Sequence, residues 1–339
     1  MISQENIQKL AEATLISNGK RYPVFGLVLL ESDGPSVRAT GRDLDARIVV
    51  EVEADLKPFK VAVGAQTFRA AAMAITGDAD MAANRWDLTL KADGVIAQVH
   101  GGDPKGFPEW ANEESREFPL PDGFMDTARR TVFCASTDET RYVLNGLHLD
   151  GQAMVATDGR RLAYSDFPLD GLDGQLIVAT TTLGLLTSPT MMRVGQSQVE
   201  FVEDGKRVSS KLIQGTYPNW RKVVPTNLPS SISTDRDGLI AAIRDCAGVS
   251  NDTHKIHMGS EKGELRLSCE DSKSGRIQRS IEFEGDDGFD VSVNPKYLLD
   301  GLKYASGDDV SINFKDGKTP ITIGSDGWPY VLMPMRGGK

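Results

Sequence analysis

Few residues of this chain are spaced for chemistry. His254 and His257 have a spacing that two metal ligands can use, but no cysteine or carboxylate cluster completes a site, so no metal is expected. Asp43, Asp45 and Asp158 have the right type for general acid–base work. Each stands among turn residues, where aspartate commonly accepts from the backbone, and the turn reading is preferred. Asp78-Ala79-Asp80 lacks the glycine and distal glutamate of a calcium loop. Asn251-Asp252-Thr253 has the form of a glycosylation sequon, without any sign of secretion. Walker loop, GxSxG, HExxH and GxGxxG patterns are all missing. Cys134, Cys246 and Cys269 are far apart and form neither a CxxC nor a disulfide framework, which fits a reducing cytoplasm. The expectation is a protein that is no enzyme and needs no cofactor.

The segment that stands out instead is Tyr330-Val331-Leu332-Met333-Pro334-Met335-Arg336. Chain ends are usually polar and frayed, whereas this one is apolar almost to its last residue. Tyr330 to Leu332 read as a strand, which Pro334 ends because proline cannot donate to a ladder. Two methionines around a proline give a small, adaptable apolar surface. Either the segment is a strand docked into the core, or it is one lip of a groove that receives an apolar peptide.

The elements around it repeat. Val63-Gly64-Ala65-Gln66 opens a helix, Val178-Ala179-Thr180-Thr181 stands about 115 positions on before another helix-like run, and Val293-Asn294-Pro295-Lys296 stands about 115 beyond that. Thr40-Gly41-Arg42-Asp43-Leu44 returns as Thr157-Asp158-Gly159-Arg160-Arg161-Leu162, and Phe107-Pro108-Glu109-Trp110 as Tyr217-Pro218-Asn219-Trp220. Three domains are expected, over residues 1–115, 116–230 and 231–339, with a linker at Leu228-Pro229-Ser230-Ser231. Runs of strands between single helices predict an α+β class with antiparallel sheets. Helices are predicted from Ser3 to about Asn18, over 66–76, 124–135 and 294–304, and around Leu239 to Ala247. The start has no basic leader and no apolar run approaches 18 residues, so neither a signal peptide nor a membrane span is expected.

With 339 residues, 40% of them hydrophobic, the chain is globular, and its formal charge is -10. A protein gripping nucleic acid over its whole surface would be basic. Yet the predicted helices set basic residues opposite their apolar faces: Lys9, Arg69, Arg129, Arg130, Arg244, Lys296 and Lys303. A basic helix face repeated through an acidic chain predicts sorted charge, with helices towards a polyanion and sheets towards solvent.

In order and spacing, Thr157–Ala163, Tyr217-Pro218-Asn219-Trp220-Arg221-Lys222-Val223-Val224-Pro225 and Tyr330–Arg336 resemble the signature stretches of the bacterial β sliding clamps, the processivity subunits of DNA polymerase III. Arg141-Tyr142-Val143-Leu144-Asn145-Gly146 and Asn294-Pro295-Lys296-Tyr297-Leu298-Leu299 also match. The resemblance implies three clamp domains per chain, each with two helices backed by antiparallel sheets, and two chains joined head to tail in a ring. It implies a partner-peptide cleft formed by Leu144, Thr157, Gly159, Arg160, Arg161, Leu162, Pro218, Lys222, Val223, Asn294, Tyr297, Val331, Met333, Pro334, Met335 and Arg336. Lys222 stands where many members carry arginine. To the basic helix residues the resemblance adds Lys20, Arg21 and Arg141 as DNA-facing, and it puts Phe107, Gly248 and Val249 at the dimer seam. The function it implies is a cytoplasmic clamp that encircles duplex DNA without reading sequence. Such a clamp is opened by a loader and tethers the replicative polymerase catalytic subunit, other polymerases and mismatch-repair proteins through a short glutamine/apolar motif. The alternative is a non-ring peptide-binding scaffold built from the same domains.

Overall fold

A computed structural model describes residues 1–249, 255–271, 275–325 and 328–335. They pack as two compact units: residues 1–125, 169–171 and 178–212, and the described residues among 126–168, 172–177 and 213–335.

Among the described residues the α-helices are α1 (Gln4–Leu10), α2 (Ala65–Ala74), α3 (Phe124–Val132), α4 (Thr180–Leu183), α5 (Arg236–Ala247) and α6 (Pro295–Leu302). Ser3 caps α1, its Oγ accepting from Asn6 N at 3.2 Å. The expected run to Asn18 stops early and tightens into a 3-10 turn at Ala11–Leu15. The Thr14 hydroxyl donates to Ala11 O, three residues back, and this side-chain bond competes with the α pattern. Gly41 also approaches so closely that a Cβ there would overlap Ala13 O. The helix-like run after Val178 makes a single turn, α4. Its three consecutive β-branched threonines are poor helix formers, and Gly184 follows as C-cap. α6 begins as its sequence predicts, with Asn294 Oδ1 accepting from Lys296 N at 2.9 Å and Pro295 at the first position.

In chain order the strands are β1 (Leu27–Ser32), β2 (Ser36–Arg42), β3 (Ala46–Glu53), β4 (Phe59–Gly64), β5 (Asp80–Asn84), β6 (Asp87–Ala92), β7 (Val95–Val99), β8 (Gly101–Gly102), β9 (Arg116–Pro119), β10 (Gly146–Leu149), β11 (Ala153–Thr157), β12 (Arg161–Asp166), β13 (Leu176–Ala179), β14 (Met191–Val194), β15 (Gln198–Glu203), β16 (Lys206–Lys211), β17 (Ser230–Asp235), β18 (Ile256–Glu261), β19 (Glu264–Asp271), β20 (Gly275–Glu282), β21 (Glu284–Gly285), β22 (Asp290–Val293), β23 (Asp309–Phe314), β24 (Ile321–Ser325) and β25 (Trp328–Leu332). The first unit holds a sheet in the order β8-β4-β1-β2-β3-β16-β15-β14-β9 and a smaller one, β5-β6-β7. The other sheets run β13-β10-β11-β12-β25-β24-β23-β17-β21 and β20-β19-β18-β22. Antiparallel pairing, as expected for the class, joins β3 to β16 and β12 to β25. Each of these two joins links distant parts of the sequence into one sheet. The second unit's core gathers α5 and α6 around Leu239, Ile243, Leu298 and Leu302, with Tyr330 of β25 buried completely among them.

Candidate functional site

The turn between β11 and β12 is built by Asp158 and Thr157. Asp158 Oδ1 accepts from Arg160 N at 2.9 Å and Arg161 N at 3.1 Å. The Thr157 hydroxyl donates to Arg161 O at 2.6 Å and accepts from Gly159 N at 3.0 Å. Gly159 turns the chain at φ +84°, a conformation that L side chains rarely adopt. Asp158 is thus occupied by the backbone, as is Asp43, whose Oδ1 accepts from Asp45 N and Ala46 N, both at 2.8 Å. The turn reading of these aspartates holds.

Arg161 is the hub beneath the turn, with only 9% of its surface exposed. Its Nε donates to Asp158 Oδ2 at 3.0 Å, Nη1 to Asp300 Oδ2 at 2.6 Å and Nη2 to Phe133 O at 3.2 Å. Its guanidinium carbon lies 4.4 Å from the centre of the Tyr297 ring. Burial alone would lower its pKa, but the bond to Asp300 and the surrounding charges outweigh burial and raise it, so the group stays charged. Arg161 therefore ties β12 to α6 and is no rim charge. Arg160 is exposed and bonds to Tyr297.

β25 lays the next wall, paired to β12 in the same sheet. Val331 faces Leu162 across the ladder, and Met333 N donates to Arg160 O at 2.9 Å. Tyr330 turns the other way, its hydroxyl donating to Tyr297 O at 2.8 Å. The third wall comes from the segment at Pro218 and the 3-10 turn Trp220–Lys222. Together Leu144, Thr157, Gly159, Arg161, Leu162, Pro218, Asn219, Trp220, Val223, Val331 and Met333 line a cavity of about 160 Å3. Its base is continuous with a buried cluster that includes Val155, Ile177 and Tyr217. Val223 and Met333 remain 50% and 41% exposed at its mouth.

Nine of these lining residues were expected from sequence. Asn219 and Trp220 were not, although Trp220 repeats Trp110. Lys222 is exposed, Asn294 serves as the cap of α6, Tyr297 carries Arg160 and Arg161, and Pro334 and Met335 follow β25, with Met335 N donating to Ser292 O at 2.7 Å. Arg336 lies outside the described residues.

Lys9, Arg69, Arg129, Arg244 and Lys296 are exposed on α1, α2, α3, α5 and α6, and Lys303 is exposed at the end of α6. Lys9 pairs with Glu5 at 3.0 Å. Arg130 is drawn in: its guanidinium covers the Trp328 ring and donates to Tyr304 O at 3.3 Å. Arg141 belongs to the cleft turn, donating to Asp158 O at 3.1 Å. Lys20 and Arg21 sit exposed before Pro23, with Arg21 against Tyr22. Phe107 is buried against Leu29 and Ala62 of its own unit, and Gly248 and Val249 close α5. Ile96, which the sequence did not single out because its alternation reads as an ordinary strand, is 74% exposed on β7, an edge strand of its sheet.

No group of three histidine, cysteine or acidic side chains is arranged for a metal among the described residues, and His254 falls outside them, as does Asn251-Asp252-Thr253. The three cysteines are free and buried.

Antiparallel sheets joined strand to strand, basic helices and an apolar cleft at the β12–β25 join define a DNA-clamp architecture. Residues 121–219 match the family model of the DNA polymerase III beta subunit, central domain, and residues 221–336 that of its C-terminal domain. Curated relatives include the beta sliding clamps of Synechocystis sp. (25% identical, over 95% of this chain and 94% of the relative) and Pseudomonas putida (26%, over 96% and 95%). Among solved structures, a Pseudomonas aeruginosa sliding clamp bound to griselimycin superposes with a TM-score of 0.91 at 24% identity, covering 99% of this chain and 98% of that one. The Thermotoga maritima DNA polymerase III beta subunit gives 0.89 at 18%, covering 99% of both chains. The chain belongs to the bacterial DNA polymerase III beta subunit family, the β sliding clamps.

Proposed function

We propose that two copies of the chain close head to tail around duplex DNA and slide on it without reading sequence. The ring tethers a replicative polymerase, and through the same cleft other polymerases and mismatch-repair proteins, by a short glutamine/apolar motif. An ATP-driven loader opens it, the chain itself catalyses nothing, and its place of work is the cytoplasm. The observation that carries this reading is the cleft: a mostly apolar cavity of about 160 Å3 whose mouth is edged by exposed Val223 and Met333. An exposed apolar mouth over a buried apolar base fits a peptide anchor.

The three-domain reading, over 1–115, 116–230 and 231–339, is supported by the two sheet joins β3–β16 and β12–β25, which fall where the first repeat meets the second and the second meets the third. By the same logic the third join lies between chains. The sheets left for it are β5-β6-β7 in the first unit and β20-β19-β18-β22 in the second, with Ile96 exposed on β7 and Ile277 on β20. The exposed basic residues of α1, α2, α3, α5 and α6 supply the field that holds DNA loosely. Salt should weaken that hold, each phosphate contact adding about -0.9 to the log-log slope.

The test is retention on DNA after loading. A ring stays on a nicked circle and slides from a linear end; equal loss from both would remove the topological part of the proposal. A non-ring scaffold predicts that equal loss.

A further inference from the structure

The internal repeat sets a second groove in the first unit, at the place the cleft holds in the second, and hydrogen bonds fix the correspondence residue by residue. Asp43 accepts from Asp45 N and Ala46 N as Asp158 accepts from Arg160 N and Arg161 N. β3 leaves that turn to pair with β16, Ala46 opposite Ser210, as β12 pairs with β25, Arg161 opposite Leu332. Lys211 N donates to Asp45 O at 2.8 Å, as Met333 N does to Arg160 O at 2.9 Å. Pro108 and Trp110 take the places of Pro218 and Trp220.

Carried across on this register, the apolar wall becomes polar. Leu162 is replaced by Arg47, Val331 by Ser209 and Met333 by Lys211. Two cavities, of about 300 and 680 Å3, are both lined by Arg47 and Trp110. Arg47 donates to Ser209 Oγ at 3.1 Å and reaches Glu200 at 3.4 Å, while its Nε is buried with no partner among the described residues. Trp110 is held at several points: Arg42 and Arg47 lie 5.1 and 5.7 Å from its ring centre, and its Nε1 donates to Gln198 Oε1 at 2.7 Å. Arg42 also donates to Glu109 O. The larger cavity brings Arg42, Arg47, Lys60 and Lys105 together against two carboxylates, Asp103 and Glu109. In a chain of net charge -10, four cations against two carboxylates make this lining locally positive, with Lys60 also paired to Glu31 at 2.6 Å.

We propose that this groove is a second peptide site, selective for a short acidic segment where the cleft selects an apolar one. The proposal rests on the reading of the cleft only for the class of ligand. Charge complementarity names the occupant: exposed Lys105, and Lys60 in exchange for its pairing with Glu31 at 2.6 Å, offer donors to carboxylates, with Arg42 and Arg47 in the same lining. Asp103 and Glu109 inside the hollow oppose the dense phosphate charge of a duplex, and spaced carboxylates can avoid them.

The test is calorimetry on the full chain at low salt with a blocked Asp-Glu-Asp-Phe-Asp-Glu hexapeptide, after saturating the cleft with a glutamine-leucine-phenylalanine peptide. One equivalent per chain should still bind. Reversing the exposed pair, Lys60→Glu with Lys105→Glu, should weaken it about tenfold without changing the glutamine-leucine-phenylalanine titration. Arg47→Leu, which restores the apolar residue of the cleft, should abolish it. Displacement of the acidic peptide by the cleft peptide would overturn the proposal. So would no binding, indifference to the charge reversal, or displacement of the peptide by a duplex oligonucleotide. Failure of the cleft titration itself would count against the proposed clamp function and leave this site standing.

Discussion

Leu162 and Met333 both line the cleft and differ in what they cost to remove. Leu162 is buried in the cluster beneath, whereas Met333 is largely a surface residue. A docking peptide loses much of its freedom, so a few buried anchors must carry the affinity. Met333→Ala with Leu162→Ala should weaken a glutamine-leucine-phenylalanine peptide by about 1–3 kcal/mol per anchor, measured by titration, with the oligomeric state unchanged. Leu162→Ala also leaves a cavity and should lower stability by about 2–4 kcal/mol, so Met333→Ala alone is the control that separates the effects. Trp220 adds a directional element. Its Nε1 is buried without an acceptor among the described residues, and it lines the cleft. Behind it, His148 stacks on Tyr217 with ring centres 4.3 Å apart. Burial, aided by Arg221, holds the His148 pKa below its ordinary value, against the pull of Asp150. The unfolded chain therefore takes up the proton first as pH falls. Stability from this group is full above about pH 6.5 and is lost as pH drops towards the folded value, by up to about 1.4 kcal/mol per pH unit. Urea midpoints followed downward from neutral pH should show that fall, and His148→Phe should flatten it.

At the scale of elements, α6 works as a bracket. One of its faces exposes Lys296, and its other contacts hold the cleft through Tyr297, Asp300 and Gly301. Gly301 is there for closeness: a Cβ would overlap the Tyr330 ring, which is fully buried and has nowhere to move. Gly301→Ala should destabilise the protein by about 1–3 kcal/mol in denaturant titration, although alanine favours a helix interior by about 1 kcal/mol. This bracket was only half legible in the sequence. The cap at Asn294 and the apolar face of α6 follow from local chemistry, as does the turn at Asp158. The pairing of Arg161 with Asp300 spans 139 positions and leaves no local mark, so the sequence placed Arg161 in the cleft by resemblance without revealing its buried tie to α6. Arg130 read from sequence as part of an exposed basic face, because the aromatic ring it covers, Trp328, is equally remote. The cleft's convergence was legible only through the family resemblance carried by its three separated signature stretches. The length of the first helix was not, since it depends on how closely Gly41 approaches Ala13.

At the scale of the whole molecule, the question is what terminates the sheets. A strand edge left open offers a row of backbone donors and acceptors to any partner, and proteins normally blunt such edges. β7 is an edge of β5-β6-β7 and carries an isoleucine 74% exposed. β20, at the edge of its own sheet, carries Ile277 at 36% exposure with Arg276 and Arg279 beside it. An apolar residue on an open edge is a liability in a monomer and an asset at a seam. Phe107, the sequence-level candidate for that seam, is already occupied by Leu29 and Ala62, so it has little surface left to give. If β7 of one chain joins β20 of the next, Ile96→Lys should place an unpaired charge at the junction and split the dimer. Sedimentation at micromolar concentration should then show a species of 36.8 kDa in place of one twice that mass. The fold should survive, because Ile96 faces solvent within its own chain, and far-ultraviolet circular dichroism would establish that. The glutamine-leucine-phenylalanine peptide should bind the monomer as before, since every lining residue of the cleft comes from one unit. Retention on a nicked circle should vanish. A variant that stays dimeric would move the seam away from β7.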